Sequence, residues 1–265
     1  MDYSKIEALQ DIDNELILDI LDEPLKKAFS VISISSIPKT LEAICMLQTN
    51  INFLKTGIFE IALSDNNYSM YILERALYEH FIKHFYLFIQ YCKSKNDSAG
   101  LEYYKWIDIK EYRDYFNSLK KKAELKGLPQ TIFDIDRSID EIYSGYAEIT
   151  NKDKNTIITK YSFYKMLKYI VAEIKYDSSV LTELPSGYSI LSSFVHGGPH
   201  ANRLQMFNSI DEEFRIKELY KGCKKAYLYN VMALTNTFVI AGQFNKELLK
   251  YVNVVKGYLA RVPEE

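Results

Sequence analysis

The sequence predicts an all-α fold, a multi-helix bundle forming a single domain over 1–265. Three observations carry this reading. Apolar residues recur at spacings of three and four through most of the chain, the repeat of a helix with one buried face. Only 10 Gly and 6 Pro interrupt the 265 residues, too few for a sandwich or barrel with many tight turns. Apolar residues make up 48% of the chain, and 22 Tyr and 14 Phe among them supply large packing groups for one core.

The elements follow in order. Residues 4 to 22 carry Ile6, Leu9, Ile12, Leu16, Ile17, Ile20 and Leu21 near helical spacing. Pro24 fits the first turn of a short helix through Phe29, and Pro38 opens a longer one. In that helix Leu41, Ile44, Leu47, Ile51 and Leu54 repeat to an end near Leu63, where Ser64-Asp65-Asn66-Asn67 is a loop with N-cap chemistry. These N-terminal helices occupy 1–60. The next helix, about 67 to 92, is apolar almost all round (Tyr68, Tyr71, Leu73, Leu77, Phe81, Phe85, Phe88), as expected of a central helix.

Asp97 to Lys126 reads as a more polar amphipathic helix bearing Trp106, stopped by Gly127-Leu-Pro129. A helix is expected near Ile132 to Ile149, then a polar break at Asn151-Lys-Asp-Lys-Asn155. The stretch 97–160 is read as a peripheral helical insertion. Helix resumes over Tyr161 to Ile174 and breaks at Asp177-Ser-Ser179. Pro185-Ser-Gly187 precedes a helix over 187 to 196, which Gly197-Gly198-Pro199 ends. From Asp211 a long helix runs to about Phe244, with Phe214, Leu219, Cys223, Tyr227, Val231, Leu234 and Phe238 on its inner face. A last helix covers 245 to 261.

Charge and cysteine content narrow the function classes. The formal net charge of -2 supplies no global field for nucleic acid, so any such affinity must come from a local patch. Lys120-Lys121-Lys122 and the run Arg215, Lys217, Lys221, Lys224, Lys225 read as solvated helix faces. Cys45, Cys92 and Cys223 are odd in number and far apart, the pattern of reduced thiols. The opening residues are too polar for a signal peptide, and no apolar run reaches the length of a membrane span. A cytoplasmic location without a membrane partner is expected.

Chemistry concentrates in two helices. Over 187–196, Tyr188, Ser192 and His196 fall at i, i+4 and i+8 and project from one face beside Leu191 and Val195. A phenol, a hydroxyl and an imidazole bordering a core require partners. On the central helix, Arg75 and Glu79 are i and i+4, and Lys83 continues the stripe. The plain reading of that stripe is a solvated strip of paired charges; the sharper one has Arg75 and Glu79 facing a polar pocket shared with His196. His80/His84 and His196/His200 each have the spacing of a metal clamp, but no third ligand stands at obvious spacing and Gly197-Gly198-Pro199 breaks the second pair. No metal and no cofactor is assigned. A Ser192–His196–Glu79 triad lacks a nucleophile elbow and an oxyanion hole.

Arg-x-x-x-Glu (Arg75, Glu79) followed about 110 residues later by Tyr-x-x-x-Ser-x-x-x-His-Gly (Tyr188, Ser192, His196, Gly197) resembles a family of uncharacterised bacterial helical proteins linked to the HEPN superfamily (higher eukaryotes and prokaryotes nucleotide-binding). The resemblance covers roughly 65 to 240. It implies a HEPN-like core with peripheral helices, a homodimer, and a place in a bacterial defence or toxin–antitoxin system with a protein antitoxin or defence partner. Many such proteins are metal-independent ribonucleases, with Arg followed after four to six residues by His. Arg75-Ala-Leu-Tyr-Glu-His80 meets that spacing, although Ala76 stands where a polar residue is common, and no Arg precedes His196 at that spacing.

For such an endoribonuclease, Arg75 is the expected phosphate clamp, His196 the base and Glu79 the residue orienting one of them. Tyr188 and Ser192 would be hydrogen-bond partners behind them, and His80 the substitute base. Gly197 leaves backbone N–H groups open to a phosphate, and His200 with Arg203 would line the entrance. The alternative is a non-catalytic helical module, in which the Arg-Glu-His cluster fixes helix register or binds a nucleotide or protein.

Overall fold

The computed structural model describes residues 3–20, 23–127, 134–144, 146, 148–174 and 179–263. The chain is an all-α multi-helix bundle, with no strand among the described residues. The first helices are α1 (Ser4–Ile20), α2 (Glu23–Ser30), α3 (Pro38–Leu63), α4 (Asn67–Ser94) and α5 (Ser98–Leu125). Shorter ones follow: α6 (Ile135–Asp140), α7 (Asn151–Lys160), α8 (Phe163–Glu173), α9 (Ser179–Thr182), α10 (Leu184–Val195) and α11 (Pro199–Ile210). The chain closes with α12 (Glu212–Ala241) and α13 (Leu249–Leu259). No helix of the described residues is long and apolar enough to cross a membrane.

Helices α3, α4 and α12 pack on one another to form the centre, and α4 also meets α5, α8, α10 and α11. The all-round apolar character of α4 explains this position: Met70, Leu77, Phe81, Ile82 and Leu87 are fully enclosed. Helix α1 covers α3, α12 and α13 through Ile6, Leu9, Leu16 and Ile20, with Asp13 and Lys55 buried as a pair 2.5 Å apart between α1 and α3. Ile109, Ile139 and Tyr146 form a small second cluster beside the main core.

The first turns of α3 and α5 cap each other. Asp97, the N-cap of α5, turns its carboxylate outward to accept from the Lys39 and Thr40 N–H groups at 3.1 and 2.7 Å. The Thr40 hydroxyl in return accepts from the Gly100 N–H at 2.9 Å. Each helix start satisfies amides of the other that would otherwise lack partners.

Several expectations need correction. The polar stretch 151–155 is not a break but the start of α7, because the Thr150 hydroxyl accepts from the Asp153 N–H and caps it. The helix expected near 132–149 is confined to α6, capped by Asp134, and turns follow it; residues 132, 133, 145 and 147 lie outside the described residues. The Leu128-Pro129 part of the stop after α5, and the break at 177–178, also lie outside them. The motif helix starts at Leu184, since Pro185 is tolerated in a first turn, where no intrahelical N–H is needed. Gly197 and Gly198 interrupt the helix only briefly before Pro199 opens α11. Phe214, expected on the inner face of α12, is 38% exposed, because burial of α12 begins only at Ile216, after its exposed first residues.

Candidate functional site

Helix α10 is seated on α4 by aromatic packing. Phe194 is buried with its ring centroid 5.4 Å from Tyr68 and 4.5 Å from Tyr71, and the Tyr68 hydroxyl donates to the Phe194 carbonyl at 2.8 Å. With Leu184 and Leu191 also buried, the rotation of α10 is set. Tyr188 and Ser192 then meet Arg75 across the interface.

Arg75 Nε donates to the Ser192 hydroxyl at 3.1 Å, and its Nη2 donates to the Tyr188 hydroxyl at 2.9 Å. The same Nη2 lies 3.1 Å from Glu79 Oε1. Tyr188 donates to that carboxylate oxygen at 2.6 Å, so Arg75, Tyr188 and Glu79 close a triangle of hydrogen bonds. The Ser192 hydroxyl donates to the Tyr188 carbonyl at 2.8 Å, which leaves its oxygen free to accept from Arg75. Burial, and then the neighbouring Glu79 carboxylate, raises the Tyr188 hydroxyl above its ordinary range and keeps it a donor at neutral pH. Phe163, from the start of α8, stacks on Tyr188 at 4.0 Å and 11°.

This cluster forms one wall of a cleft of about 310 Å³ between α4, α5, α8 and α10. Arg75, Glu79 and Lys83 line it from α4, Lys110 from α5, Tyr161, Ser162, Phe163 and Met166 from the start of α8, and Tyr188 from α10. Neither Lys83 nor Lys110 has a carboxylate within ion-pair distance among the described residues. Burial lowers the Lys83 ammonium from its ordinary value and Lys110 adds to the effect, while Glu79 and Glu111 oppose it. Three cations thus face one carboxylate in a partly dry, aromatic-walled space, an arrangement suited to an anion.

The other expected site residues lie elsewhere. His196 is exposed at the C-cap of α10, one turn beyond Ser192, and no side-chain hydrogen bond or ion pair links it to Arg75 or Glu79 among the described residues. The hydrogen-bonded cluster therefore holds Arg75, Glu79, Tyr188 and Ser192 without it. His80 turns its Nδ1 back to the Ala76 carbonyl at 2.9 Å, and burial lowers its pKa. His84 points into the core toward Thr237 at 3.2 Å, so the two imidazoles of this pair do not converge. Gly197 adopts φ +63, the left-handed conformation that ends α10; His200 and Arg203 are exposed on α11. Among the described residues no group of three or more His, Cys, Asp or Glu side chains could hold a metal ion.

Sequence reasoning placed Lys83 on the right stripe but missed Lys110, Tyr161 and Phe163. Nothing in their spacing links α5 or α8 to Tyr188, because only the packing of three helices on α4 brings them together.

The profile of a family of unknown function, DUF5677, matches residues 42–214. That stretch contains every residue of the cleft and leaves out α1, α2 and nearly all of α12. No curated protein and no solved structure matches the chain.

Proposed function

For a chain that belongs to the DUF5677 family, whose function is unknown, we propose a HEPN-like role in a bacterial defence or toxin system, in which the α4–α10 cleft binds a phosphate of RNA or a nucleotide. One observation carries the reading. Arg75 is held at Nε and Nη2 by Ser192, Tyr188 and Glu79, while its Nη1 has no protein partner among the described residues. A guanidinium fixed along one edge offers its remaining N–H groups in a set geometry, and an incoming oxyanion need not freeze the side chain. An exposed i,i+4 ion pair made only for helix stability would need neither Tyr188 nor Ser192.

Metal-independent cleavage is the second reading, and its support is the position of His196 one turn along the Ser192 stripe. His196 would take the proton of a ribose hydroxyl while Arg75 holds the phosphate. His80, at the Arg75–His80 spacing, is the substitute base. A homodimer and a protein antitoxin or defence partner belong to the same reading.

Fluorescence anisotropy with a labelled single-stranded RNA, in buffer containing EDTA, tests both. Arg75→Ala is expected to weaken binding about tenfold or more, with its circular dichroism unchanged. Equal binding by the parent and by Arg75→Ala would sink the proposal. RNA cleavage in the same buffer, lost in His196→Ala, would select the nuclease reading; binding without cleavage would select a binding module.

A further inference from the structure

The cleft has two anion-attracting ends, not one. Arg75, Glu79 and Lys83 are successive members of one α4 stripe, so Arg75 and Lys83 stand about 12 Å apart along the helix axis. Lys110 reaches the Lys83 end from α5. Glu79 stands between the two ends on the helix, with its carboxylate held at the Arg75 end. Its Oε1 is occupied by Tyr188 and Arg75, but its Oε2 has no partner among the described residues.

We propose that the cleft accepts a ligand whose two phosphates are carried on separate hydroxyls of one sugar, and that it disfavours directly linked phosphates. The inference rests on the phosphate reading of Arg75 given above. Directly linked phosphates lie too close together to engage both Arg75 and the Lys83 end, about 12 Å apart, whereas phosphates on separate hydroxyls of a sugar stand farther apart. The free Oε2 of Glu79 can accept a hydrogen bond from a sugar hydroxyl beside the phosphate held by Arg75. A sugar phosphorylated at its 3′ and 5′ hydroxyls carries the two charges apart and leaves its 2′-hydroxyl free beside the 3′-phosphate. Phe163 and Met166 supply an apolar wall for the ring edge. At about 310 Å³ the space suits one nucleotide unit and not a long strand.

Isothermal titration calorimetry of the full chain at constant ionic strength, with three adenosine probes, tests this. The probes are the 5′-monophosphate, the 5′-diphosphate and the 3′,5′-bisphosphate. The bisphosphate is expected to bind about tenfold or more tighter than either of the others. In the Lys83→Met/Lys110→Met double variant the bisphosphate should lose its advantage over the monophosphate, the ratio of the two affinities falling to about one. Neither lysine side chain takes part in a hydrogen bond or ion pair among the described residues, and circular dichroism of the double variant checks that the fold is kept. A diphosphate that binds as tightly as the bisphosphate overturns the inference, as does a preference that survives in the double variant. Both of those outcomes leave dependence on Arg75 intact. Failure of every probe to bind, or binding indifferent to Arg75→Ala, removes the phosphate reading and this inference with it.

Discussion

His80 and His84 stand one turn apart on α4, His80 half-buried against the Ala76 carbonyl and His84 fully enclosed in the core. The Thr237 hydroxyl donates to the Ala233 carbonyl at 2.9 Å, so its oxygen accepts from His84 Nε2–H, and the buried Nδ1 has no partner among the described residues. Burial pushes His84 from an ordinary 6.5 down to about 3. The unfolded chain therefore binds a proton at His84 below about 6.5, and the folded chain does not until about 3. Stability from this residue is complete above the upper value and falls with pH through that window, by about 1.4 kcal/mol per pH unit. Urea unfolding at a series of pH values should show a shallower slope for His84→Leu than for the parent between pH 4 and pH 6. Superimposable slopes would mean that His84 is not neutral in the folded chain. At this scale the sequence was partly legible. Tyr188, Ser192, Arg75 and Glu79 could be paired because i,i+4 spacing encodes a helix face. His196 was harder to place, because the stripe leaves the interface where α10 ends.

Among the elements, the joint between α3 and α5 carries the clearest energetic consequence. A Cβ built on Gly100 would lie 2.1 Å from the Thr40 nitrogen and 2.3 Å from the Lys39 carbonyl carbon, both backbone atoms that cannot swing aside. Gly100→Ala must push the two helices apart and break the Asp97 and Thr40 bonds together. The expected loss is about 2–3 kcal/mol, the range of overpacking plus a lost cap. Gly257 in α13 meets nothing within 4 Å, so Gly257→Ala should stabilise by up to about 1 kcal/mol through helix propensity. Denaturant midpoints that moved in the same direction would contradict the close approach at Gly100. Periodicity alone located α3, α4 and α12, because each has a long apolar face. It misjudged α7 and overlooked α11. The first is mostly polar and depends on the Thr150 cap; the second leaves Met206, Phe207 and Ile210 exposed, so no buried face marks it.

Over the whole molecule, the main core draws on helices from α1 to α13, and the formal charge is -2. The cationic cleft is a local exception to that balance, and composition could not reveal it. The reciprocal caps also bear on how the bundle opens. Thr40 and Gly100 are 60 positions apart in sequence, yet the Thr40 amide depends on Asp97 of α5 and the Gly100 amide on Thr40 of α3. Neither helix can fray at its start without releasing the other. Native-state hydrogen exchange should therefore report the two amides as one opening event, with matching free energies and matching denaturant dependence. Gly100 exchanging well ahead of Thr40 would show that α5 detaches alone. The structure instead ties the α5 edge of the cleft, and with it Lys110, to the cooperative unit that contains α3.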